Sequence, residues 1–175
     1  AQYGFQMAFT SDAGKGVARS SEGTPIRTTD GYTTTVVGCG VMCHDGTSWT
    51  FAIDSLWGIN TYVGELGAIL RALHEARERR SCPRVALVFD ATSPVRAWLK
   101  FRNKHNRHKL AYHAARLLDT VDQLVQECEV VAFIWQTSHV GSPTNEIVDV
   151  LATRAVAEHK LCAFILHPAS FFHMR

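Results

Sequence analysis

Four carboxylates in this sequence occupy positions that a core-building chain would fill differently. Glu65 precedes Ile69 and Leu73 by one and two steps of four, so it projects from the helix face that those residues bury. Asp90 ends the apolar run Val85-Ala-Leu-Val-Phe89, where open sheets place ligand-binding groups. Asp30 closes a polar, β-prone run from Thr24 to Thr29, just before Gly31, and Asp149 sits between Val148 and Val150, one helical turn after Asn145. An isolated buried carboxylate is expensive unless it is paired or binds metal. Capping, turn formation or a salt bridge would account for any one of these acids, but four together need four separate explanations. Clustered carboxylates attract hard divalent cations, and Mg²⁺ is usually held by a few carboxylates together with water and phosphate oxygens. Two such ions about 4 Å apart can activate a water and stabilise the leaving oxygen of a phosphodiester.

That chemistry needs a polyanionic substrate, and the charge distribution offers a surface for one. Net charge is only +2, yet no Asp or Glu occurs between Ala91 and Leu118, where Arg96, Lys100, Arg102, Lys104, Arg107, Lys109 and Arg116 lie. The rest of the chain is net acidic. An unbroken basic segment on an acidic body attracts a phosphate backbone, although a solvated basic loop would carry the same charges. Trp98, Phe101 and Tyr112 lie within the segment and could stack on bases or simply pack a helix face.

These residues must be carried by regular elements. Residues 1 to 23, including Gly14-Lys-Gly16, show no sustained periodicity and read as an N-terminal extension, without the frame of a phosphate-binding loop. Thr24–Thr29 is then the first strand. Val36–Met42 and Ser48–Ile53, joined by His44-Asp-Gly-Thr47, suggest an antiparallel hairpin. Leu66, Ile69, Leu70 and Leu73 give helical spacing between Thr61 and about Arg80. Val85–Phe89 and Val130–Trp135 read as buried strands. Ser93–Phe101, about Leu110–Glu127 and Ser142 to about Glu158 read as helices, the last with Ser142 as N-cap and Pro143 at its first turn. The order β-β-β-α-β-α-α-β-α implies an α/β domain over residues 24–158, a mixed five-stranded sheet flanked by helices. Residues 159–175, with Phe164, Ile165, Leu166, Phe171 and Phe172, form an apolar C-terminal extension.

The 175 residues, 46% apolar, suit one globular domain. No run is long and apolar enough to span a membrane and no secretory signal opens the chain, so a soluble protein with no membrane partner is expected. Ala rather than Met at position 1 suggests a processed product or part of a longer polypeptide. Five scattered cysteines favour reduced thiols in an intracellular compartment, whether nucleus, mitochondrion or cytoplasm. Cys39 and Cys43 share a strand face and lack a second metal-ligating pair, so they are expected in the core rather than on zinc.

Thr29-Asp30-Gly31, Gly38-Cys-Gly40-Val, Asn60…Glu65-Leu66, Val88-Phe-Asp90 and Trp135…His139…Asn145-Glu-x-x-Asp149-x-Leu-Ala152, in that order, resemble type 1 ribonuclease H, including the ribonuclease H domains of reverse transcriptases. The resemblance implies that Asp30, Glu65, Asp90 and Asp149 hold two Mg²⁺ ions, with Mn²⁺ able to substitute, and cleave the RNA strand of RNA/DNA hybrids to leave a 5′-phosphate. His139 would assist proton transfer or product release, as its ordinary pKa permits. Gly31, Asn60 and Glu65 would meet the hybrid's minor groove, where 2′-hydroxyls mark RNA. Asn145 would join them in substrate binding, and Lys100, Arg102, Lys104, Arg107 and Lys109 would form a substrate-handling protrusion. Tyr32 and Ala91 stand where the family commonly has Ser, and Ser or Asn. The partners implied are nucleic acid and a larger polypeptide or ribonucleoprotein. Two other readings compete: a non-catalytic module that binds RNA or scaffolds a ribonucleoprotein, and another nuclease or nucleotidyl transferase on the same fold.

Overall fold

The computed structural model describes residues 4–57, 61–103, 112–137 and 141–158. Its elements, in chain order, are β1 (Met7–Val17), β2 (Thr35–His44), β3 (Trp49–Trp57), α1 (Thr61–Arg79), β4 (Arg84–Phe89), α2 (Ser93–Arg102), α3 (Tyr112–Gln126), β5 (Val130–Trp135) and α4 (Pro143–Ala157). The expected order is therefore observed, but its first strand lies elsewhere. Residues 7–17 are not an extension: β1 is the central strand of the sheet, whose order is β3-β2-β1-β4-β5. The boundary expected at residue 24 falls instead inside an arm, residues 18–34, that is largely exposed beyond the buried Ala18 and is held by bridges at Arg19↔Pro25 and Arg27↔Thr33.

β1, β2 and β3 form an antiparallel meander, and β4 and β5 add in parallel on the other side of β1. The sheet is mixed because antiparallel neighbours can be joined without a helix, by the turn between β2 and β3 or by the arm of residues 18–34 between β1 and β2, whereas parallel strands need crossovers. α1 and α3 cover one face. Met7 and Phe9 of β1, Val37, Cys39, Val41 and Cys43 of β2, and Val85, Leu87 and Phe89 of β4 project into that layer. They meet Ile69, Leu70 and Leu73 of α1 there, and each such side chain contributes about 1.5–3 kcal/mol when fully buried. Cys39 and Cys43 are core thiols, as their spacing predicts.

α4 packs across β1, β2 and β3 on the opposite face, and glycines make that approach feasible. A Cβ at Gly38 would lie 2.1 Å from the Ala152 carbonyl oxygen, and one at Gly40 would lie 2.2 Å from that of Val148. Helix backbone therefore rests on strand backbone here, with no side-chain layer between. No helix among the described residues is long and apolar enough to cross a membrane.

Candidate active site

The pairing of β1 with β4 ends at Thr10↔Val88, and Asp12 and Asp90 stand two residues farther along their strands. Both carboxylates thus sit at the carboxyl end of the central parallel pair. At β1 the chain turns back to β2 on one side while β4 lies on the other, and such switch points leave a crevice for ligands. Glu65 enters from the first turns of α1, on the same helical face as Leu66 and Ile69, which anchor the helix in the core. One carboxylate oxygen from each of Asp12, Glu65 and Asp90 lies within 4.8 Å of the other two.

Burial and charge make this an unfavourable place for three free anions. Glu65 is 7% exposed and Asp12 9%. Burial first, then the Asp12 and Asp90 carboxylates, push Glu65 up to about 9 from its ordinary 4.5. Without a cation, Glu65 therefore holds a proton at neutral pH. A divalent ion would favour releasing it, and the geometry suits one. Ligands about 2.1 Å from Mg²⁺ stand roughly 3 to 4 Å apart across the coordination shell.

Asp90 has further support. The indole Nε1 of Trp135 donates to its backbone carbonyl at 2.6 Å. Asn145, 3% exposed at the start of α4, directs its Nδ2 toward Asp90 Oδ2 at 3.5 Å. Asn145, read from the sequence as a substrate-binding residue sharing a helical face with Asp149, thus faces the Asp90 carboxylate.

Asp30 does not join them. It lies exposed in the arm's turn, where the Gly31 N–H donates to the Thr28 carbonyl at 2.9 Å and Gly31 adopts a positive φ of 83°. Asp12 holds the place the sequence reading gave to Asp30, because the strand lining the crevice is Met7–Val17 and not Thr24–Thr29. The missed signal was present in the alternation of Met7 and Phe9 leading into Thr10-Ser-Asp12-Ala-Gly14. Gly31 belongs to the same exposed arm, remote in sequence from β1's acid. Asp149 is exposed on α4 and lies outside the three-carboxylate group. His139, Asn60, Lys104, Arg107 and Lys109 lie outside the described residues.

Lys100 and Arg102 are exposed on α2. The Arg102 guanidinium lies 5.2 Å from the Trp98 ring centroid and 3.7 Å from Asp122 Oδ1, so part of its charge is already engaged. Trp98 packs on Phe133, with ring centroids 5.2 Å apart, and Phe101 is buried against Leu66 and Leu118. Packing, rather than base stacking, accounts for these two aromatic residues.

A mixed five-stranded sheet flanked by helices, with three carboxylates at the end of its central parallel strands, defines a ribonuclease H-like α/β protein. No protein-family profile matches the chain. The chain is 30% identical to the ribonuclease H of Dichelobacter nodosus (strain VCS1703A) over 125 residues, which span 68% of this chain and 81% of that protein. Among solved structures, RNase H1 from the halophilic archaeon Halobacterium salinarum NRC-1 matches with a TM-score of 0.58 at 15% identity, over 87% of this chain and 98% of that one. LC9-RNase H1, a type 1 RNase H with the type 2 active-site motif, gives 0.64 at 17% identity, over 86% of this chain and 72% of its own. A foamy viral protease-reverse transcriptase in complex with RNA/DNA hybrid gives 0.60 at 11% identity, over 87% of this chain and 20% of that larger one. At these identities the structural matches speak for the fold. With the sequence relative they place the chain in the type 1 ribonuclease H family, a family of hydrolases.

Proposed function

We propose that this chain is a divalent-metal-dependent endoribonuclease that cleaves the RNA strand of RNA/DNA hybrids. The convergence of Asp12, Glu65 and Asp90 carries the reading: one oxygen of each falls within 4.8 Å of the others, at a buried position where their mutual repulsion favours a cation. These three side chains would hold Mg²⁺, or Mn²⁺ in its place. Asp149, one turn beyond Asn145 on the exposed side of α4, would help hold a second ion. Bound ions would supply Lewis-acid stabilisation of charge on the scissile phosphate and lower the pKa of the attacking water.

The protein's own contributions are positional and electrostatic. β1 and β4 hold their carboxylates rigidly because both strands are buried in the sheet. His139 is suited to moving a proton near neutral pH. The basic stretch from Arg96 to Arg116 would attract the hybrid's backbone, and its effect would weaken with salt. Recognition of RNA would rest on 2′-hydroxyl contacts, for which Asn60 and Glu65 are the candidate residues. The grouping of Asp12, Glu65 and Asp90 supports catalysis over a purely scaffolding module. Membership of a larger polypeptide or ribonucleoprotein is compatible with the same site.

Cleavage of an end-labelled RNA/DNA hybrid, with and without Mg²⁺, tests the reading beside Asp12→Asn and Asp30→Asn. Activity is expected to need the ion, to collapse in Asp12→Asn and to persist in Asp30→Asn. Undiminished cleavage by Asp12→Asn would overturn it, as would binding of the hybrid without any metal-dependent turnover.

A further inference from the structure

Just beyond β5 the chain forms a short polar relay that ends on the candidate metal site. The Gln136 backbone N–H donates to the Phe89 carbonyl at 2.9 Å, which extends the β4–β5 ladder by one residue and sets Gln136 beside Asp90. Its side-chain Nε2 donates to Asn145 Oδ1 at 3.0 Å. Asn145 in turn directs Nδ2 at Asp90 Oδ2. Each amide in the sequence Gln136, Asn145, Asp90 therefore points its donor end toward the carboxylate.

We propose that Gln136 is a positioning residue for Asp90, acting through Asn145; the inference rests on reading Asp12, Glu65 and Asp90 as ligands of a divalent cation. A carboxamide has a donor end and an acceptor end, and beside a carboxylate only the donor end is attractive. Asn145 is buried, so an inverted amide would set its oxygen against Asp90 with little water to screen the repulsion. Gln136 favours the useful orientation, because its N–H₂ is matched by Asn145 Oδ1 and would be opposed by Asn145 Nδ2. Holding Asp90 Oδ2 in this way restricts rotation of the carboxylate and keeps it turned toward Asp12 and Glu65. Groups that orient metal-ligating side chains typically change metal affinity by about 10- to 100-fold when they are replaced.

The substitution that isolates this role is Gln136→Glu, which keeps the shape and presents oxygen to Asn145 Oδ1. Gln136→Leu removes the donor altogether. Mn²⁺ titration by calorimetry on the full chain, without nucleic acid, reads the effect directly. About a tenfold weaker Kd is expected for Gln136→Glu. Hybrid cleavage should show a lower kcat at limiting Mg²⁺ that recovers at high Mg²⁺, with KM for the hybrid unchanged. A Kd within twofold of the parent protein would overturn the inference, as would a kcat loss that saturating Mg²⁺ does not restore. Should Gln136→Leu fail to fold, Gln136→Glu still decides. Asp12→Asn, titrated alongside, separates the two levels. Parent protein that binds no Mn²⁺ overturns the metal-site reading and this inference with it, whereas parent protein that binds while Gln136→Glu matches it overturns this inference alone.

Discussion

Asp12 and Asp30 lie in neighbouring stretches, β1 and the arm that follows it, and each is preceded by threonine and serine or threonine alone and followed by a small residue. Asp12 sits on the central strand among buried neighbours, within reach of Glu65 and Asp90. Asp30 sits in an exposed turn closed by local hydrogen bonds. A carboxylate in water costs nothing and organises little. The same group at the end of a buried parallel strand pair lies within 4.8 Å of two further carboxylates, an arrangement whose repulsion a cation would relieve. Chemical potential here comes from the sheet position, and a short motif around the acid does not report it.

The largest expected effect tests that contrast directly. Asp12→Asn should lower hybrid cleavage by about 10³-fold, since the charge stabilisation supplied at a metal site amounts to several kcal/mol and each 1.36 kcal/mol is a factor of ten. Asp30→Asn should stay within about twofold, the usual outcome for a surface change. A loss in Asp30→Asn matching that in Asp12→Asn would erase the distinction between strand and arm.

The next effect concerns stability rather than chemistry. Gly38→Ala brings a Cβ to 2.1 Å from the Ala152 carbonyl oxygen and 2.8 Å from the Val156 nitrogen, both backbone atoms that cannot rotate away. Thermal or urea unfolding should show a loss of about 2–3 kcal/mol. Alanine at Gly23, in the arm, meets no atom within 4 Å and is strained only by its φ of +81°, so its cost should be smaller.

The acidic pocket also predicts a pH dependence. Glu65 is held near 9 in the folded metal-free protein against an ordinary 4.5. Between those values the folded state retains a proton that the unfolded state has released. Metal-free stability should therefore fall as pH rises through this window, and Glu65→Gln should flatten the slope. Mg²⁺ should raise Tm more at pH 8 than at pH 5, because the ion needs the deprotonated carboxylate. Equal Mg²⁺ shifts at both pH values would argue against Glu65 as a ligand. The smallest effect belongs to the surface of α2: Lys100→Ala should weaken hybrid binding a few-fold and reduce the slope of log affinity against log salt by about one.

The order of elements was legible because each of the other eight has a one-sided or continuous apolar pattern. α1 shows Leu66, Ile69, Leu70 and Leu73, and β4 shows an unbroken Val85–Phe89. Two members of the acidic group, Glu65 and Asp90, could be read from the same patterns, since each interrupts or terminates one. β1 was not legible in that way. Its α4-facing positions include Gly14 and Gly16, which lie under Ala152 and Val156, so the second half of the strand carries no side chain where the helix crosses it. Gly14-Lys-Gly16 therefore looks like a loop. The exposed arm that follows offers Thr24–Thr29 and Asp30-Gly31, a more conventional strand ending and turn.

By itself, the sequence determined the elements that bury apolar side chains, the family resemblance, and the basic stretch on an acidic body, because periodicity and charge are properties of the chain. Tertiary structure alone decided which aspartate completes the site. Whether a strand lies at the centre of a sheet depends on its partners β2 and β4 and on how closely a helix backbone can approach it. Those are long-range contacts. Local composition around Asp12 records a strand only through Met7 and Phe9, and its central place in the sheet not at all.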